Sequence, residues 1–110
     1  MLILTKNEKS IIGRVQVHKD YNKLMYMIST EGNRELFFRD MFSSKNYRIT
    51  FEEWVEKNIG FIKLKNGMFI TSKYIKEAEK IIRKIFEAEN IDEEFIEKPG
   101  IIIGAIIKYL

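Results

Sequence analysis

At 110 residues the chain is long enough for one domain with a real core and too short for two, and 45% hydrophobic against 32% charged residues is the balance of a folded globular protein. It has no cysteine, which rules out disulfides, thiolate metal centres and a cysteine nucleophile. The net charge is only +3, so any electrostatic role must be sought in how the charge is arranged.

The expectation is one globular domain over residues 1–110, cytoplasmic and without a membrane partner. The apolar start at residues 1–4 is too short for a signal-peptide core, and the longest apolar run, residues 101–107, cannot cross a bilayer. Isoleucine far outnumbers valine and alanine, and lysine outnumbers arginine. That bias points to an A+T-rich genome, such as that of a low-GC bacterium, an archaeon, or a phage or mobile element.

Taken in chain order, residues 1–5 read as a short strand. Alternation from Gly13 sends Val15 and Val17 to one face and Arg14, Gln16 and His18 to the other, the pattern of a half-buried strand. Residues 24–28 are apolar at both parities, which predicts a central strand and completes an N-terminal antiparallel meander. Glu31, Gly32 and Asn33 form a turn, with Asn33 capping a helix that carries Leu36, Phe37, Phe38, Met41 and Phe42; a strand over residues 35–39 is the alternative.

Thr50 and Glu53 match a capping box, so a short helix is expected over residues 51–58, ending near Gly60. Asn66-Gly67 then predicts a two-residue type I′ hairpin pairing Leu64 with Phe69 and Ile62 with Thr71. After Ser72 as N-cap, Tyr74, Ile75, Ala78, Ile81, Ile82, Ile85 and Phe86 share one arc of a long amphipathic helix over about residues 73–89. Asn90 ends it in the left-handed conformation, and Asp92 opens a short helix that Pro99-Gly100 stops. Residues 101–110 are rich in β-branched side chains and read as a buried strand with Gly104 as a bulge, a buried helix being the alternative.

The fold class is therefore α+β: a small antiparallel sheet, made of the N-terminal meander and the Asn66-Gly67 hairpin, packed against the long helix and two or three short ones. No internal repeat, low-complexity tract or linker interrupts it.

The catalytic inventory is thin. His18 is the only histidine, no serine sits in a Gly-x-Ser-x-Gly elbow, and the side chains of Ser44-Lys45 and Ser72-Lys73 diverge. Glu87, Glu89, Asp92, Glu93, Glu94 and Glu97 lack the ligand spacing and turn glycine of a calcium loop, and the six glycines are too scattered for a phosphate loop. No cofactor, metal ligand or catalytic residue is assigned, and a carboxylate-based enzyme is the third-ranked reading.

Charge is arranged unevenly. From residue 57 to 84 eight basic residues face two acids, and residues 87–97 carry six acids and no base. Lys63, Lys65, Lys73, Lys76, Lys80 and Lys84 are the candidates for binding nucleic acid or another anion, against the plain alternative that a surface helix needs a polar back paired through Lys73–Glu77 and Glu79–Arg83. Trp54, Ile101, Ile103, Ile107 and Tyr109 are the candidates for a protein or dimer interface. The leading expectation is a non-enzymatic interaction or regulatory domain that binds a protein partner or a second copy of itself. The alternative is a nucleic-acid-binding protein using the lysine-rich hairpin and helix.

Overall fold

The computed structural model describes residues 1–43 and 49–110, so Ser44-Lys45 and Tyr47 lie outside the described residues. Its elements are α1 (Lys6–Ile12), β1 (Gln16–His18), α2 (Tyr21–Ile28), α3 (Arg34–Ser43), α4 (Phe51–Asn58), β2 (Ile62–Lys63), β3 (Phe69–Thr71), α5 (Ile75–Ala88) and α6 (Pro99–Ile107), with a 3-10 turn at Glu93–Phe95. The fold is α+β, with the antiparallel order β1-β3-β2.

Register decides which layer each strand residue enters. Val17 and Ile62 both pair with Ile70, so the three point to one face of the sheet. There they pack with Ile12 of α1, with Ala78, Ile81, Ile82, Ile85 and Phe86 of α5, and with Ile102, Ala105 and Ile106 of α6. His18 and Lys63 pair with Phe69 and share the opposite face. On that side Phe69 meets Leu24 and Ile28 of α2, Phe37 of α3, and Phe51, Trp54 and Val55 of α4. A sheet of three short strands is thus covered on both faces by helices.

Several expectations are corrected. Residues 1–5 form no strand; Thr5 instead caps α1 in a full capping box, accepting the Glu8 amide at 3.1 Å while Glu8 accepts the Thr5 amide at 2.9 Å. Residues 24–28 are helical. Asp20 accepts the Lys23 amide at 2.9 Å and starts α2, whose Leu24 and Ile28, four apart, are buried while Tyr26 and Met27 stay outside. A short apolar run has no period of its own, and the cap decided between strand and helix. The N-terminal meander therefore reduces to the single strand β1.

The α3 helix is present, but Asn33 does not cap it as an acceptor; its side-chain amide donates to the Ile28 carbonyl at 2.9 Å across the turn in which Gly32 takes φ 81°. At α4 Thr50 accepts the Glu53 amide at 3.2 Å, without the return bond from the glutamate among the described residues. Gly60 follows at φ 82°, where a Cβ would stand 2.7 Å from Ile75, so both the backbone angle and the close approach demand glycine.

The hairpin is real but one residue out of the expected register. Ile62 pairs with Ile70 and Lys63 with Phe69, and the Leu64 amide donates to the Met68 carbonyl at 2.8 Å. Three residues, Lys65 to Gly67, therefore form the loop, and only Gly67, at φ 90°, is left-handed there. A type I′ turn requires Asn66 to be left-handed as well; the observed form is the three-residue loop ending in a glycine bulge. Asn66 works through its side chain, which accepts the Met68 amide at 3.0 Å and donates to the Ile96 carbonyl at 2.7 Å.

The expected amphipathic helix is α5, with Asn90 beyond it at φ 54°. Ser72 is buried and accepts the Tyr74 amide at 3.4 Å, ordering the turn before the helix rather than the helix itself. Pro99 does not end an element but begins α6, because its fixed φ suits the first helical turn and its missing N–H has no partner to lose there. Residues 101–110 are thus mainly helical rather than a strand: burial of Ile102, Ala105 and Ile106 at helical spacing overrides the β-branched preference. No described helix is long and apolar enough to cross a membrane.

Candidate interaction surfaces

The six lysines do not gather on one surface. Lys73, Lys76, Lys80 and Lys84 are exposed along the start and outer back of α5, whereas Lys63 shares the Phe69 side of the sheet, away from α5. Lys65 lies in the hairpin loop, where its amide donates to Glu93 at 3.3 Å. Neither i,i+4 pair anticipated on α5 forms: Arg83 bonds Glu93 of the acidic segment, and the Lys73 ammonium sits 5.7 Å from the Tyr74 ring centroid. Glu89, near the negative end of α5, is met by Lys108 at 3.4 Å. The acidic stretch therefore folds back onto basic groups of the same chain, while Lys76 and Lys80 make no ion pair among the described residues.

Trp54 is not displayed as an anchor. It is 3% exposed, stacked on Phe51 and edge-on to Phe37, and its indole N–H donates to Asp40 at 2.8 Å. Of the aromatic residues on α3 only Phe37 is buried, while Phe38 and Phe42 are exposed.

The C-terminal candidates divide by helical face. Nothing in α6 is charged, and half of it lies open: Ile101, Ile103 and Ile107 are 46%, 43% and 61% exposed. Gly100 and Gly104 on the same side have open space where a Cβ would stand. Tyr109 belongs to the inner side, half-buried against the core, where burial first and then the Glu89 carboxylate raise its phenol pKa.

Two recesses flank β1. A polar cleft of about 310 Å³ holds Arg14, Gln16, Asn33, Asn58, Thr71 and Lys73. Much of its hydrogen-bonding capacity is committed to the fold, since Gln16 donates to Glu31, Asn58 to the Trp54 carbonyl, and Thr71 to the Gly60 carbonyl. On the other side a groove of about 450 Å³ runs between Val17, His18 and Lys19 of the strand end, Lys23, Tyr26 and Met27 of α2, and Pro99 of α6.

His18 lies deeper than strand alternation alone indicates. It is 7% exposed, and its Nε2 is enclosed without a hydrogen-bond partner among the described residues. Burial lowers its pKa from the ordinary value, opposed by the attraction of Glu31, and so favours the neutral ring. Strand alternation put His18 on the correct face; that α2 would cover this face followed only from the Asp20 cap. Among the described residues no three histidine or carboxylate side chains gather as a metal site. Comparison with protein-family models, with curated proteins and with solved structures returned no match.

Proposed function

We propose that the chain is a non-enzymatic interaction domain that acts by binding protein, and that the outer side of α6 is its main contact surface, with a second copy of the chain as the partner. The observation that carries this reading is the exposure of Ile101, Ile103 and Ile107 on a helix without a single polar side chain. Continuous apolar surface of this kind is what association removes from water. The face is also self-complementary: Ile103 and Ile107 form a ridge, Gly100 and Gly104 a recess beside it, and two copies related by a twofold axis can interlock through them, with charge confined to the flanking Lys98 and Lys108.

Sedimentation equilibrium tests it. A mass that rises with concentration towards a dimer, and falls to that of a monomer in the Ile103→Glu/Ile107→Glu variant with helix content retained, is the expected result. A wild-type chain that stays monomeric at hundreds of micromolar overturns it.

Nucleic-acid binding is the second reading, supported by the exposure of Lys76, Lys80 and Lys84 in one row on α5. It is the weaker of the two because Lys63 lies on the other side of the sheet, and three lysines on one helix, with Lys73 just before it, make a short phosphate track.

A further inference from the structure

We infer that the groove along the outer edge of β1 receives an extended segment of a partner protein, apolar at its centre and acidic at its flanks. The inference rests on the interaction-domain reading but uses a different surface from the outer side of α6.

Four observations converge on this occupant. The order β1-β3-β2 leaves β1 outermost, and antiparallel pairing with β3 turns the N–H and C=O of alternate β1 residues away from the sheet. Consecutive residues Val17, His18 and Lys19 line the groove, so the strand edge is its floor. The walls are apolar, with Tyr26 and Met27 68% and 39% exposed on α2 and Pro99 opposite. At the rim stand Lys19 and Lys23, with no carboxylate among the described lining residues.

His18 closes the floor: its side chain is more than nine-tenths buried, so an occupant is met there by the backbone of the strand edge rather than by the ring. A strand laid against β1 delivers peptide N–H and C=O groups to this floor, apolar side chains to Tyr26, Met27 and Pro99, and carboxylates to the two lysines. Addition to a sheet edge is a general mode of peptide recognition, in which the backbone supplies affinity and alternate side chains supply selectivity.

The test uses the full chain and a displayed library of random peptides, followed by fluorescence polarisation with the enriched sequences. Enriched peptides are expected to place aliphatic or aromatic residues within two positions of Asp or Glu. Their affinity should fall about tenfold or more in Lys19→Glu/Lys23→Glu and in Met27→Glu, each checked by circular dichroism for an unchanged fold. The charge-reversed variant, selected anew, should enrich basic peptides. The Ile103→Glu/Ile107→Glu variant should bind the original peptides as the wild type does, so failure of the α6 interface and failure of the groove read out separately. No enrichment, enrichment without acidic residues, or binding indifferent to Met27→Glu overturns the inference.

Discussion

The Trp54 indole nitrogen donates to Asp40 across 2.8 Å, and this one bond ties α4 to the end of α3. Around it Phe37, Phe51 and Trp54 have ring centroids 5.5 to 6.1 Å apart, the spacing at which aromatic pairs contribute beyond area alone. Asp40→Ala leaves a buried N–H unanswered and should cost about 1–3 kcal/mol, whereas Asp40→Asn keeps an acceptor and should cost less. Because Trp54 is the only tryptophan, its fluorescence during urea unfolding reports this cluster directly. Equal midpoints for wild type and Asp40→Ala would show that the bond contributes nothing.

How legible this cluster was in the sequence follows from what fixes each element. The α4 helix was readable from its threonine cap, and the three-residue spacing puts Trp54 on the same inward face as Phe51, which outweighs its standing as an interface candidate. The α5 helix was equally readable, because fourteen residues are enough for the apolar arc to repeat. Residues 24–28 and 101–107 were not, since each is a short run apolar all round, and what decided them was Asp20 in one case and Pro99 in the other. The candidate surfaces were legible only in part. Composition marked α6 as sticky, but which isoleucines face outward depends on its contacts with α5 and β1, and the groove over His18 is built from segments that only the tertiary fold brings together.

The hairpin shows how a turn motif can be recognised and its geometry still missed. Asn66-Gly67 predicted the bend, but the Asn66 amide is recruited by the Ile96 carbonyl thirty residues on, and the loop settles as three residues with only Gly67 left-handed. Gly67→Ala meets no atom within 4 Å, so its cost is conformational alone, about 1–2 kcal/mol. Asn66→Ala loses two hydrogen bonds, about 1–3 kcal/mol together, and should also loosen residues 93–97. Hydrogen exchange of the Ile96 region separates the two variants: faster in Asn66→Ala, unchanged relative to global stability in Gly67→Ala.

The basic row on α5 gives a sharp expectation in either direction. If it contacts phosphate, retention on heparin should fall steeply with salt, and Lys76→Glu/Lys80→Glu should abolish it, since each phosphate contact adds to the salt dependence. If the row is only a solvated helix back, the wild type should elute near the start of the gradient and the variant should keep its stability to within about 0.5 kcal/mol. Unfolding midpoints and elution positions measured on the same two proteins decide between them.

His18 should make the fold sensitive to mild acid. Its pKa in the folded chain lies below the ordinary 6.5 because burial disfavours the imidazolium, with Glu31 pulling weakly the other way. Between the folded value and 6.5 the unfolded chain therefore binds more protons, so stability rises with pH across that window and falls as pH drops through it. The slope cannot exceed about 1.4 kcal/mol per pH unit for one proton. Glu8, held below its usual value mainly by the Thr5 amide, acts in a separate window, losing its contribution only as pH falls below about 4.5. As the sole histidine, His18 is the one side chain with an ordinary pKa between 5 and 8. Urea midpoints at pH 7.5 and 5.5 should differ for the wild type and coincide for His18→Gln, and a wild type with the same midpoint at both values would mean that the ring is protonated as easily inside the fold as outside it.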